Sequence, residues 1–367
     1  MEPLKNMYST QVITDLATDL QTVYPAFLTE AFIASVMDDT WESLELKARM
    51  RQITLCLGKY LPSDYPKAIS IINEAIKTQG SWLESFCLYY PDFVEMFGQD
   101  PAHWDISIEA LGYYTRYASS EFAVRPFIIH HEQRMMAQML VWSTSEDEHQ
   151  RRLASEGCRP ALPWGQALTK YKKDPSPILP ILENLKNDTS LFVRKSVANN
   201  LNDISKTHPD LVLEIARRWY GQTDHTDWIV KHALRTLLKK GHVEALSIFG
   251  YFGSDSLSIA DFQLDNAKLA IGESLGFSFT VCATADTKLR LEYAIDYMKA
   301  NGKHSRKIFK ISELPFSAGQ RKTYHKQHHM ADLSTRKHYA GEHMVTVIVN
   351  GIEQGTLGFE LGRVHTN

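Results

Sequence analysis

The chain has 367 residues, 44% hydrophobic and 23% charged, which is enough to bury a sizeable core and form more than one domain, and no disorder class fits it. No apolar run approaches the ~18 to 20 residues of a membrane span, and Met1 to Thr10 lacks a basic flank followed by an apolar segment; a cytoplasmic protein is expected. Cys56, Cys87, Cys158 and Cys282 form no C-x-x-C pair, which argues against a zinc site or a disulfide framework and leaves buried or incidental thiols.

The net charge of −3 hides a gradient. Residues 1–150 carry 10 basic and 21 acidic side chains, residues 151–302 carry 20 and 17, and residues 303–367 carry 10 and 5. Phosphate binding needs a local positive surface and not a positive total, so nucleic acid stays open as a partner beside plain solubility.

From Tyr24 to about His131 apolar residues recur at three and four, in PAFLTEAFIASVM, WESLELKARMRQITLCL, YPKAISIINEAI and SWLESFCLYYPDFVEMF. Breaks at Leu61-Pro62-Ser63-Asp64 and Gln79-Gly80-Ser81 separate helices joined by short turns, which implies antiparallel neighbours. Glu121 heads the next helical segment, EFAVRPFIIHH. The stretch His149 to Trp164, HQRRLASEGCRPALPW, then packs an acid, three arginines and an indole around a helix end. Gly157 is a natural residue to follow that helix, and Pro160 and Pro163 forbid its resumption, so Trp164 arrives on a stiff loop.

A faint repeat follows. Phe192-Val193-Arg194-Lys195-Ser196-Val197 aligns with Ile229-Val230-Lys231-His232-Ala233-Leu234, and Ala123-Val124-Arg125 matches the first of these about two periods earlier. A helical unit of roughly 35 to 45 residues is the signature of a HEAT-like α-solenoid with a concave inner surface. After Gly253 the pattern changes to short alternating runs, LGFSFTVCA, KLRLEYAIDYMK, RKIFKISEL, HMVTVIVNG and QGTLGFEL, punctuated by Asn301-Gly302 and Asn350-Gly351. The expected architecture is mostly α, a helical repeat domain over 1–255 followed by an Ig-like β-sandwich over 256–367.

Three acids, Glu121, Glu156 and Asp203, fall in successive units of that repeat and can converge on its concave face. Carboxylates across a cleft are what glycosidic-bond cleavage uses, to stabilise an oxocarbenium-like sugar and to activate water; a helix cap or a solvated surface acid is the competing reading of each. Trp164 stacks on a base or sugar, or anchors the core. Arg152, Arg159, Arg194, Lys231 and Arg235 track phosphates, or simply solvate a helix face. His130-His131 and His328-His329 lack a third ligand at usable spacing, so no metal is expected.

On RRLASEGCRPALPW, the three acids and VRKSVANNLNDISK, the chain resembles the bacterial DNA alkylation repair glycosylases, specifically the AlkC branch of the AlkC/AlkD superfamily, over nearly its whole length. The resemblance implies a HEAT-like solenoid with an Ig-like tail that excises N3-alkylated bases, chiefly 3-methyladenine and 3-methylcytosine, from double-stranded DNA. Such a base is already cationic and leaves readily, so the enzyme needs anions near the anomeric carbon and a positioned water. That role falls to Glu121, Glu156 and Asp203, with Trp164 against the deoxyribose or lesion and Arg152 on the adjacent backbone. The AlkD branch sets its tryptophan and aspartate on neighbouring turns of one helix, whereas Asp203 lies well downstream of Trp164, so the division of labour among the acids stays open. From the residues themselves a monofunctional enzyme with no cofactor is expected, no lysine being evidently placed for a Schiff base, and the excess positive charge of the tail, with Arg306, Lys307 and Lys322, points to DNA contacts there, an independent domain for a protein partner being the competing reading. A monomer suffices for one duplex. The rival class is a non-catalytic HEAT scaffold binding nucleic acid or protein.

Overall fold

The computed structural model describes residues 3–78, 87–252, 254–332 and 337–362. Among them, sixteen α-helices precede eight strands. The helices are α1 (Thr10–Val23), α2 (Thr29–Val36), α3 (Leu46–Tyr60), α4 (Tyr65–Thr78), α5 (Tyr89–Phe97), α6 (Trp104–Tyr114), α7 (Val124–His130), α8 (Glu132–Trp142), α9 (Glu148–Glu156), α10 (Thr169–Lys173), α11 (Leu179–Leu185), α12 (Leu191–Ile204), α13 (Pro209–Trp219), α14 (Asp224–Ala233), α15 (Arg235–Lys239) and α16 (Val243–Ile248). No described helix is long and apolar enough to cross a membrane. The chain forms two compact units, one of Met1–Thr207 with Gly221–Ala233, the other of His208–Tyr220 with Leu234–Asn367. Helices α13, α15 and α16 thus belong with the strands, whereas the sequence pattern placed the division at 255/256, where helix gives way to strand.

In the first unit the spacing of apolar residues explains the helices. In α4, Ala68, Ile69, Ile72, Ala75 and Ile76 are buried on one face, and the Leu61–Asp64 break precedes it. Helix α1 lies ahead of the stretch read as helical; its Ile13, Leu16, Ala17 and Leu20 follow the same rule, and the Ser9 hydroxyl caps it by accepting from the Val12 amide at 3.3 Å. The Gln79-Gly80-Ser81 break and the start of the SWLESF segment lie outside the described residues. Helix α12 packs between α9 and α14, which fits the repeat offset read in Phe192–Val197 and Ile229–Leu234.

Gly157 does not end α9 in a left-handed conformation. Its φ is −62° and its amide still donates to Leu153 O at 2.9 Å. The glycine is required by crowding: a Cβ there would lie 2.6 Å from Val124 Cγ2 and 2.9 Å from Met139 Cε. The left-handed residue is Trp164, with φ 62°.

The strands of the second unit are β1 (Leu257–Leu264), β2 (Lys268–Ala270), β3 (Ser274–Ala283), β4 (Thr287–Met298), β5 (His304–Phe316), β6 (Arg321–His329), β7 (Gly341–Val349) and β8 (Ile352–Gly362). They form two sheets, β1-β3-β6 and β2-β8-β7-β4-β5. Alternate residues Leu275, Phe277, Phe279 and Val281 of β3 and Leu289, Leu291, Tyr293 and Ile295 of β4 fill one core. Asn350 and Gly351, at φ 48° and 82°, make the two-residue turn joining β7 to β8, the conformation Asn-Gly favours. The Asn350 side chain also accepts from the Arg290 amide at 2.7 Å and donates to Phe252 O and Lys288 O at 2.9 and 3.0 Å.

His343 lies fully inside this core on β7, with neither ring nitrogen hydrogen-bonded. Burial, with His304 and His338 adding to it, holds its pKa at about 4. The folded pKa is depressed, so the neutral ring favours the fold above the ordinary value of about 6.5, and that contribution is lost as pH falls from 6.5 toward 4. Urea melts should show on the order of 2 kcal/mol of stability lost over that window, and His343→Phe should flatten the dependence; an identical pH profile in the variant would refute the assignment.

Candidate active site

The acids meet in the first unit around two arginines. Helix α9 presents Arg152 and Glu156 one turn apart, and the loop after it carries Arg159. The Arg159 guanidinium binds Glu156 Oε1 at 2.6 Å and Asp203 Oδ2 at 2.9 Å, with its side chain only 8% exposed. Burial pulls the Arg159 pKa down, but Glu156 and Asp203 more than reverse this and hold it above the ordinary value. Arg152 bridges Glu121 Oε2 at 2.9 Å and Glu156 Oε1 at 3.8 Å, and its guanidinium lies 4.6 Å above the Phe192 ring.

One face of α12 completes the arrangement. Ser196, Asn200 and Asp203, spaced at four and three, all point toward α9 and the loop that follows. Ser196 Oγ donates to Glu156 Oε2 at 2.5 Å, Asn200 Nδ2 donates to Ser155 O at 2.8 Å, and Asp203 holds Arg159 and, through Oδ1, Lys206 at 2.9 Å. Ser119 accepts from Arg152 at 3.0 Å and donates to Glu121 Oε2 at 2.8 Å.

A second buried arginine fixes the loop. Arg125, with no exposed surface, donates to Gly157 O at 2.9 Å, Arg159 O at 3.0 Å and Gln166 O. Burial takes its pKa down to about 10, so it keeps its charge at neutral pH. Trp164 sits third in the turn Leu162–Gly165, closed by the Gly165 amide on Leu162 O at 3.1 Å. A positive φ at that position suits Gly or Asn and costs a bulky residue about 1 to 2 kcal/mol. Yet the indole is 62% exposed. It is therefore no core anchor, and the turn keeps it in the open despite the strain.

Glu121, Glu156, Arg152, Arg159, Trp164 and Phe192 line one cleft of about 730 Å³, with apolar walls that include Met50, Leu88 and Leu162. Asp203 does not line it; it stands behind Arg159. The other expected cations are distributed differently. Arg194 Nη1 donates to Asp188 O at 2.7 Å and Thr189 O at 2.8 Å and so braces a loop. Arg159 is likewise a buried ion-pair hub. Lys231 is exposed in the first unit and Arg235 half-buried in the second. Arg306, Lys307 and Lys322 are all exposed, and Arg306 is also engaged by Glu353 at 2.6 Å and Asp296 at 3.4 Å. Lys307 shares a cleft of about 440 Å³ with Lys299, Lys337 and Tyr339.

Among the described residues no group of three or more His, Cys, Asp or Glu side chains is arranged to hold a metal. Cys158, beside the cluster, is buried and its thiol pushed up to about 12. Sequence reading missed Ser119, Arg125, Ser196, Asn200, Phe192 and Lys47, the last of which also lines the cleft. The polar spacing of Ser196, Asn200 and Asp203 along one helix face was the available signal.

A DNA alkylation repair enzyme family model matches residues 117–237, and a model described as the C-terminal Ig-like domain of the uncharacterised protein YhaZ matches residues 258–363. The chain is 46% identical over 361 residues to the uncharacterized protein YhaZ of Bacillus subtilis (strain 168), covering 98% of this chain and all of that one. It is 38% identical to the Pseudomonas fluorescens alkylpurine DNA glycosylase AlkC bound to DNA containing an abasic site analog, at a TM-score of 0.90 over 98% of this chain and 100% of the other.

Removing Arg159 takes from two buried acids the counter-charge they share, leaving Glu156 only the longer contact to Arg152 and Asp203 only Lys206. Arg159→Met should therefore lower unfolding free energy by about 3 to 5 kcal/mol in urea melts; a loss under about 1 kcal/mol would refute its place as the hub.

Proposed function

The chain belongs to the DNA alkylation repair enzyme family, in its AlkC branch, and from that premise we propose that it is a monofunctional glycosylase for cationic N3-alkylated bases, 3-methyladenine and 3-methylcytosine, in duplex DNA. The observation that carries this reading is that Glu121 and Glu156 line the same cleft as the exposed, strained Trp164. A base alkylated at N3 takes the bonding pair of the glycosidic bond and leaves neutral, so positive charge moves onto the deoxyribose. Two fixed carboxylates stabilise that charge as it develops, in a site walled by apolar side chains. Water then adds at C1′ and gives up a proton.

Hydrogen bonding supports a division of labour. Both Glu156 oxygens are engaged, Oε1 by Arg159 and Oε2 by Ser196, which suits a fixed electrostatic role. Among the described residues Glu121 is bound through Oε2 alone, which leaves Oε1 to take a hydrogen bond from the attacking water. Asp203 acts through Arg159, keeping the guanidinium from neutralising Glu156 alone. Trp164 packs on the deoxyribose or lesion, and Arg152 steadies both cleft acids next to the DNA backbone.

Release of free methylated base from methylated duplex is the direct test, and a folded protein that binds such DNA without releasing base would support a scaffold instead. Glu121→Gln and Glu156→Gln should each lower the single-turnover rate by ~10²-fold or more with little change in DNA affinity. Asp203→Asn should lower it too. Wild-type rates in both glutamine variants would remove the acids from the reaction.

The second unit adds DNA contacts on this reading, supported by exposed Lys307 and Lys322 in its basic strands. Each phosphate contact contributes about −0.9 to the slope of log K against log salt. Lys307→Ala with Lys322→Ala should flatten that slope by up to about 2 in the full-length chain; an unchanged slope would assign those lysines to another surface.

A further inference from the structure

Lys47 stands in the first turn of α3, 117 residues before Trp164, yet its ammonium reaches the strained turn. Nζ donates to Trp164 O at 2.9 Å and lies 4.9 Å from the centre of the Phe122 ring, next to Glu121. The placement does not serve its own helix, since a cation in the first turn opposes the helix dipole. Arg125 already fixes the loop at Gly157, Arg159 and Gln166, and Trp164 is the residue in between whose backbone is in an unfavourable conformation. An amine bound to that carbonyl favours the left-handed turn over relaxed alternatives that would turn the carbonyl, and with it the indole, away.

We propose that Lys47 is a positioning residue for catalysis: it latches the Trp164 carbonyl and so holds the indole against the cleft beside Glu121 and Glu156. The latch rests on the reading of Trp164 as a substrate contact. It joins the N-terminal helices to the chemistry, for Lys47 is the link from α3 to both the Glu121-Phe122 segment and the Trp164 turn. A charged donor is required and a particular amine is not, so arginine can serve in its place.

The test is a double-mutant cycle in the full-length chain, read as single-turnover base release from methylated duplex, with DNA affinity measured across salt concentrations. Trp164→Ala should lower the rate strongly. Lys47→Met should lower it about tenfold or more, Lys47→Arg should restore most of that loss, and Lys47→Met should add nothing once Trp164 is already alanine. The salt slope should be the same in Lys47→Met and wild type. Multiplying effects of the two substitutions overturn the latch. So does a wild-type rate in Lys47→Met with a slope flattened by about 0.9, which would make Lys47 a phosphate contact. A wild-type rate in Trp164→Ala overturns the reading of Trp164 itself and the latch with it, whereas a defective Trp164→Ala beside a fully active Lys47→Met overturns the latch alone.

Discussion

Everything at the site depends on the charge of Arg159 being shared between two buried acids. Glu156 and Asp203 come from different helices, and each is almost wholly removed from water. An isolated carboxylate in that position would be driven to neutralise or to unfold its surroundings. One guanidinium bound at 2.6 and 2.9 Å to the two acids permits both to stay in place, while Ser196 and Lys206 take the oxygens that remain. Such a network seldom adds net stability over an apolar core. What it provides is orientation, because planar guanidinium contacts fix carboxylate positions that a point charge on a flexible stem would leave loose.

The negative charge then falls where it is useful. Three carboxylates face two guanidiniums and the Lys206 ammonium, which sits on Asp203 away from the cleft lining, and the two acids that line the cleft are the ones with apolar walls opposite them. Fixed charge in such surroundings acts more strongly than in water, and it needs no rearrangement when a cation forms. The strained Trp164 turn belongs to the same design. Rigidity supplied by Arg125 on the buried side of the loop is what lets an exposed indole persist in a conformation that a free loop would leave.

The sequence disclosed the parts of this that follow from local pattern. Apolar spacing at three and four located α4, because one of its faces is buried, and alternation located β3, β4 and β7, where every second residue enters the sandwich core although the residues between are largely buried too. Strand β6 escaped notice since Arg321–His329 is polar on nearly every residue; it is held by pairing with β3 and by Tyr324, whose ring joins the core against Phe279. The acids and the arginines beside them were candidates from helix position and from the family resemblance, but the residues that brace the loop were not: Arg125 and Lys47 bind backbone carbonyls, which carry no sequence signature. Gly157 shows the same limit. Its smallness was legible and its reason was not, because the crowding comes from Val124 and Met139 on two other helices.

Cations are where composition misleads most. Arg159, Arg194 and Arg306 look alike in a one-dimensional list of phosphate ligands, yet the fold spends the first on two acids, the second on two carbonyls and the third on Glu353 and Asp296. Arginine is favoured in such places because its fork satisfies several acceptors at once. Lysine at a strand surface more often keeps its head in water, as Lys307 and Lys322 do. Exposed positive charge in the strands is therefore found on lysines such as Lys307 and Lys322, while Arg159, Arg194 and Arg306 bind acceptors of the protein itself.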